Sequence, residues 1–229
     1  VSGCDVPGAG AYKPSGSALR VELRPFESAP GKVDGDVTNT GGHIANRSEV
    51  FGRVPTGSLG GTPASEWPDP VGAERWYAFN LFVPSDFQTA TDTTWLTLMQ
   101  WKGLYGGSPP VALEVKRGNL RLGGARTNQG LVPNDGNLGP LAKGTWTRLV
   151  VGMRLSSDAK RGWVQVYRDG KQALPRVALA TMDNYKGVGD GAVDPIYVKQ
   201  GIYRDLKWNT THVLYFGPLA VGQRYEDVA

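Results

Sequence analysis

The chain is poor in the residues that cross-link or hold metals, with one cysteine and two histidines in 229 residues. Cys4 alone cannot close an internal disulfide, and one Cys with two His does not make a Cys/His metal site. No stretch is apolar enough to cross a bilayer as a helix, so no membrane partner is expected. No segment carries a long 3.6-residue period flanked by caps, which argues against a helical architecture. No repeat of roughly 20–50 residues is visible, which argues against a solenoid or propeller. Strong charge is also lacking. The formal net charge is +4, and basic residues are interspersed with acids. That balance is compatible with an anionic partner and equally with an ordinary solvated surface. With no basic helix and no spaced Cys/His ligands, no nucleic-acid partner is expected.

Glycine and proline are plentiful, at 32 and 16, and they are scattered through the chain. This punctuation predicts many turns. Between the turns the sequence alternates. Residues 18–24 pair charged with apolar positions as a half-buried strand does. Further strands are expected at residues 47–51, 76–83, 95–102, 145–155, 163–167, 197–203 and 213–222, with a loop over residues 55–70. Residues 111–115 and 119–122 flank Lys116-Arg117-Gly118 as a hairpin, and Asp169-Gly170 is a second hairpin turn. The fold class expected is all-β, two stacked antiparallel sheets in a sandwich or jelly roll. No linker interrupts the pattern, so residues 1–229 read as one domain with an irregular lead-in over residues 1–16. The first residue is Val1, which fits a mature secreted form after signal removal and fits expression trimming equally well. Asn46-Arg47-Ser48 and Asn209-Thr210-Thr211 match the glycosylation sequon, a pattern that also arises by chance.

The most informative stretch is Tyr197-Val198-Lys199-Gln200-Gly201-Ile202-Tyr203-Arg204. In a strand, Tyr197, Lys199 and Tyr203 share one face. Gly201 sits between the lysine and the second tyrosine and leaves that face bare, so another group can approach the backbone. A cation and a phenol beside a bare patch suit an acidic sugar. Two packed aromatics on an ordinary strand would give the same pattern. Arg47-Ser48-Glu49-Val50 places Arg47 and Glu49 at one parity with His43 upstream, and reads equally as a surface strand with a local ion pair. In Leu98-Met99-Gln100-Trp101-Lys102-Gly103, Gln100 and Lys102 share a face, which predicts that this end of the strand reaches open surface. The tryptophans are Trp67, Trp76, Trp95, Trp101, Trp146, Trp163 and Trp208. Most lie inside strand patterns and are expected in the core, and some could stack on sugar rings.

Taken in order, Leu19-Arg20-Val21-Glu22-Leu23-Arg24, Arg47-Ser48-Glu49-Val50, Gln100-Trp101-Lys102-Gly103 and the Tyr197–Arg204 stretch resemble the heparin-lyase-like polysaccharide lyases. The resemblance spans roughly residues 18–222, and its Tyr-x-Lys-x-Gly-x-Tyr strand is the most specific part. It is nearest to the glucuronan lyases, polysaccharide lyase family 20, and the motif layout is also similar to the alginate lyases of family 7. It implies a concanavalin A-like β-jelly roll with a concave substrate groove. The implied reaction is β-elimination at a 4-linked uronic acid, best guessed as endo-cleavage of β-1,4-glucuronan, with alginate as the alternative. Elimination needs the sugar carboxylate neutralised, a base for the C5 proton and an acid for the departing oxygen.

Carried over position by position, the resemblance makes Tyr203 the general acid, and the base as well where proton and leaving oxygen lie on one side of the ring. It makes Gln100 the carboxylate-neutralising amide and Arg47 the residue that holds the carboxylate. Lys199, Tyr197 and Glu49 are expected to bind substrate, and a cation near Tyr203 is expected to lower its phenol pKa from the usual ~10. Lys102 stands where family 7 has a histidine. The base is therefore His43, as in glucuronan lyases, or a Lys102 depressed by burial, or Tyr203 itself, with His43 and Tyr203 favoured. His212 is expected to be structural. No cofactor is required. Related folds sometimes hold a structural calcium, and Asp34, Asp36 and Asn39 are the cluster that could supply oxygen ligands. The expected partner is an anionic polysaccharide, the expected state a monomer, and the expected location extracellular.

Two other classes compete. A carbohydrate-binding module could share the sandwich. A glycoside hydrolase would need paired carboxylates about 5–9.5 Å apart, and Glu49 and Glu114 look isolated in the sequence.

Overall fold

The computed structural model describes residues 6–25, 45–52, 71–89, 94–103, 107–125, 132–183 and 194–229. Among these residues there are thirteen strands and no α-helix. In chain order they begin with β1 (Leu19–Leu23), β2 (Ala45–Gly52), β3 (Glu74–Phe82) and β4 (Leu96–Gly103). There follow β5 (Val111–Lys116), β6 (Asn119–Gly123), β7 (Asn137–Pro140), β8 (Trp146–Arg154) and β9 (Trp163–Arg168). The last are β10 (Lys171–Ala178), β11 (Ile196–Asp205), β12 (His212–Phe216) and β13 (Ala220–Gly222).

The strands form two antiparallel sheets. One runs β1-β12-β3-β8-β9-β10, with β13 also paired to β3, and the other runs β2-β11-β4-β5-β6-β7. The two sheets share one apolar core. Phe79, Leu81, Leu149, Val151 and Leu214 come from the first sheet, and Leu98, Trp101, Leu113, Leu122 and Ile202 from the second. Each such side chain contributes on the order of 1.5–3 kcal/mol by leaving water. The period of two does the rest in regular strands such as β8, which sends Leu149, Val151 and Met153 into this core.

Both predicted hairpins form. Arg117 and Gly118 (φ 49° and 74°) and Asp169 and Gly170 (φ 51° and 74°) are two-residue turns with positive φ at both positions. Their twist matches that of the strands they join. Two expectations change. The single closing strand over residues 213–222 is broken into β12 and β13 at Gly217-Pro218, because proline has no N–H for the ladder. Strand β7 lies where no strand was expected, while β10 completes the Asp169-Gly170 hairpin and carries Pro175 at an edge with register shifts on both sides of Leu174. The loop expected over residues 55–70 lies outside the described residues.

What positions the site is β11. It sits between β2 and β4, and its register against β4 shifts between Gln200 and Tyr203. Strand β4 shifts again against β5 between Thr97 and Met99. Such irregularities increase local twist and re-aim side chains.

Candidate active site

The inner face of β11 is set by Ile196, Val198 and Ile202, which join the core. Its outer face therefore carries Tyr197, Lys199, Gly201 and Tyr203. The pairing brings named partners beside them. Tyr203 lies opposite Arg47, Gly201 opposite Glu49, Lys199 opposite Gln100, and Tyr197 opposite Lys102. Three segments far apart in sequence thus converge on one surface, and every described residue expected in the site is part of it. His43 lies outside the described residues, as do Asp34, Asp36 and Asn39.

Gly201 explains the close approach of β2. A Cβ at this position would stand 2.2 Å from the Ser48 carbonyl oxygen and 2.6 Å from Glu49 Cα, and its φ is 153°. Without a side chain there, Glu49 and Gln100 reach each other across β11. Gln100 Nε2 donates to Glu49 Oε1 in a short hydrogen bond, and Lys199 Nζ lies 3.4 Å from Glu49 Oε2. The side chains of Glu49 and Lys199 are only 1% and 5% exposed, so this is a buried charge pair and its geometry is constrained. The Nε2 of Gln100 carries two hydrogens, and the bond to Glu49 uses one of them.

Tyr203 is held by its neighbours. The Arg47 guanidinium lies 4.6 Å from the ring centroid, and the Trp95 ring meets it edge-on at 4.6 Å. Arg47 Nε is buried with no hydrogen-bond partner among the described residues. A buried donor in that state is costly, and an arriving acceptor would satisfy it. Tyr197 lies 5.8 Å from Lys199 Nζ, a long cation–π distance.

Several expectations are corrected. Gln100 does not open onto free surface; it is 2% exposed, because Glu49 bridges to it. Glu49 accepts from both Gln100 and Lys199. Glu49 does not make a local pair with Arg47, which lies over Tyr203 instead. Glu114 is not isolated either: Arg121 Nη1 donates to it at 3.1 Å, and the Gly124 N–H at 3.1 Å. The phenol pKa of Tyr203 is raised rather than lowered. Burial outweighs the Arg47 charge, and Glu49 pushes the same way as burial. Tyr203 is therefore a protonated phenol at neutral pH, suited to giving a proton and unsuited to taking one.

Lys102 is shifted the other way, down to about 8. Burial is the main cause, with Lys199 and Arg47 adding repulsion against the attraction of Asp194 and Asp183. Its Nζ donates to the Gly107 carbonyl in a short bond. Arg47, Lys102 and Lys199 bring three cations to this face, with the Glu49 carboxylate beside Lys199 and the Asp194 and Asp183 carboxylates attracting Lys102.

His212 is fully buried in β12. Its Nε2 lies 3.0 Å from the Gln88 carbonyl and its Nδ1 2.8 Å from Arg204 Nη1. Burial and the Arg204 charge lower its pKa to about 4, so it is neutral and structural, as expected. Sequence reasoning missed Trp95. It saw a strand tryptophan, and nothing in the pattern showed that Trp95 would lie against Tyr203.

A face that combines an arginine, an amide, a buried lysine–glutamate ion pair and a protonated phenol can neutralise a carboxylate and protonate a leaving oxygen. The comparisons agree with that class. The chain belongs to the polysaccharide lyase family, whose sequence model matches residues 12–219, and it is therefore a lyase acting on polysaccharide. Among solved structures it is similar to the endo-β-1,4-glucuronan lyase of the fungus Trichoderma reesei. The TM-score is 0.62 at 18% identity, over 100% of this chain and 90% of that one. It is also similar to the alginate lyase Aly36B in complex with an alginate trisaccharide, with TM-score 0.50 and 13% identity over 90% of this chain and 82% of that one. A third similar structure is the family 7 alginate lyase AlgAT5, with TM-score 0.49 and 10% identity over 95% and 85% of the two chains. No curated protein sequence matches.

Proposed function

We propose that the protein is an endo-acting lyase that cleaves β-1,4-glucuronan by β-elimination. The observation that carries the reading is the buried Nε of Arg47, without a hydrogen-bond partner among the described residues and beside the Tyr203 ring, with the Gln100 amide held by Glu49 on the same face. A uronate carboxylate placed between Arg47 and Gln100 satisfies both donors and has its negative charge offset by the guanidinium. The C5 proton is then acidic enough to remove. A base takes that proton, the C5–H electron pair becomes the C4=C5 double bond, and the C4–O4 bond breaks. Tyr203 gives its proton to the departing O4. The raised phenol pKa supports the acid role and argues against Tyr203 doing both jobs.

His43 is the base in this reading. One observation favours a second candidate: Lys102, on the same face as Gln100, is held near a pKa of about 8 and so has a neutral fraction close to neutral pH. Support for glucuronan comes from the departure at Lys102 from the family 7 histidine pattern and from the likeness to an enzyme described as a glucuronan lyase. The ligand is an anionic polymer held without cofactor, on a monomer acting outside the cell.

The test is ultraviolet absorbance during incubation with glucuronan, polymannuronate, polyguluronate, heparin and hyaluronan. Elimination leaves a conjugated double bond that hydrolysis does not. A rise with glucuronan alone is the expected result. A rise only with polymannuronate or polyguluronate would move the assignment to alginate. No rise on any polymer, with binding retained, would leave a carbohydrate-binding surface.

A further inference from the structure

Behind Tyr203 stands a chain of ring contacts that the elimination chemistry does not use. The Trp95 ring meets the Tyr203 ring at 4.6 Å and 65°. The Trp95 carbonyl accepts from the Trp208 indole N–H and from the Asp205 N–H, both at 3.2 Å. The Trp208 ring stands edge-on to His212 at 4.7 Å, and His212 is stacked on Phe87 at 4.5 Å. His212 is hydrogen-bonded to Arg204, the residue after Tyr203, whose side chain takes the opposite face of β11 and is fully buried. Arg204 Nη1 also donates to the Thr210 carbonyl at 2.7 Å, while its Nε and Nη2 have no partner among the described residues. A guanidinium kept in the core with two unpaired donors is expensive, so the structure around it must hold it firmly.

We propose that Trp95 is a positioning residue for Tyr203, anchored through Trp208 to the buried His212–Arg204 pair. The inference rests on Tyr203 being the proton donor. A phenol ring on a strand can swing about χ1 and χ2. Arg47 limits that swing from one neighbouring group and Trp95 from another, so the hydroxyl is held at a fixed point over the sheet. Small errors in such a point are expensive, since a displacement of about 1 Å can cost roughly 10²-fold in rate. Trp95 also keeps water from the ring and so helps to maintain the raised phenol pKa. Trp95 touches neither leaving group nor carboxylate in this account and acts through Tyr203.

The experiment compares Tyr203→Phe, Trp95→Phe, Trp95→Ala and Trp208→Phe on the polymer that the wild type cleaves, with circular dichroism and melting temperature as fold controls. Trp95→Ala is expected to lower kcat roughly 10- to 100-fold with KM within about twofold. Trp95→Phe should recover part of that loss. Trp208→Phe, which keeps a ring but removes the N–H, should lower kcat by a smaller factor of about 3 to 10. In Trp95→Ala the alkaline limb of the kcat profile should move to lower pH as water reaches the phenol. A rise in KM with kcat and the alkaline limb unchanged would overturn the proposal and make Trp95 a sugar platform. Unchanged kinetics in Trp95→Phe and Trp95→Ala alike would overturn it too. If Tyr203→Phe keeps full turnover, the assignment of Tyr203 as acid fails, whereas loss in Tyr203→Phe with no loss in the Trp95 variants rejects only the positioning role.

Discussion

Glu49 and Gln100 sit on strands that are not neighbours, yet they share a short hydrogen bond across β11. Two strand spacings separate β2 from β4, roughly 9–10 Å. Two long side chains can bridge that gap only if the strand between them raises nothing in the way, and Gly201 provides that opening. The bond fixes the Gln100 amide before any ligand arrives, because the Glu49 carboxylate can only accept and so selects Nε2 as its partner.

Gly201→Ala is expected to destabilise the fold and abolish activity together. Overpacking against the Ser48 carbonyl costs about 1–3 kcal/mol, and the unfavourable backbone conformation about 1–3 kcal/mol more. Denaturant unfolding with m unchanged and a lower midpoint would bear this out. A variant of normal stability and activity would show that β2 can withdraw freely from β11.

Removing the Glu49 carboxylate takes away the buried anion that lies 3.4 Å from the Lys199 ammonium. Glu49→Ala is expected to cost about 3–5 kcal/mol. The double variant Glu49→Ala/Lys199→Met should regain much of that stability but none of the activity, because Gln100 has lost its anchor. Melting curves of the three proteins measure the coupling directly.

Tyr203→Phe removes one oxygen from a part-buried ring held by Arg47 and Trp95. Turnover should fall by about 10²–10⁴-fold, the range for a lost general acid, while polymer binding and melting temperature change little. Turnover close to wild type would reassign the proton donor.

The acidic limb of kcat/KM separates the two candidate bases. With His43 as base, the limb survives in Lys102→Met, whose main effect is a higher KM from the lost charge. With Lys102 as base, the limb lies near its pKa of about 8, and Lys102→Met loses turnover altogether.

His212 makes stability depend on acid. Its folded pKa of about 4 lies below the unfolded value of about 6.5, so between these pH values the unfolded chain binds the extra proton. Stability is fully present above about 6.5 and is lost as pH falls toward 4, by up to about 3 kcal/mol. Unfolding midpoints measured between pH 7 and pH 4 should fall in the wild type and fall less in His212→Gln.

Much of this was legible in the residues. The alternation in residues 18–24, 76–83 and 197–203 carries β1, β3 and β11 because a half-buried strand requires it. Arg117-Gly118 and Asp169-Gly170 carry their hairpins because tight turns need positive φ. The face shared by Tyr197, Lys199, Gly201 and Tyr203 follows from the two-residue period alone. Strand β7 was not legible, since Asn137-Leu138-Gly139-Pro140 has no strong alternation and is ordered by pairing with β6. The burial of Gln100 was not legible either, because its partner lies 51 positions away.

What the sequence determined by itself was therefore local: which segments are strands, where they turn, and which residues of one strand share a face. These follow from dihedral preference and side-chain period, and they need no partner. Only the tertiary structure decided which faces meet. It set Arg47 opposite Tyr203 and passed Glu49 over Gly201 to Gln100. It also packed Trp95 against Tyr203. The direction of the Tyr203 pKa was decided there too. A neighbouring cation, foreseeable from the motif, pulls it down, but the burial that outweighs that pull exists only once two sheets and their surroundings have excluded water.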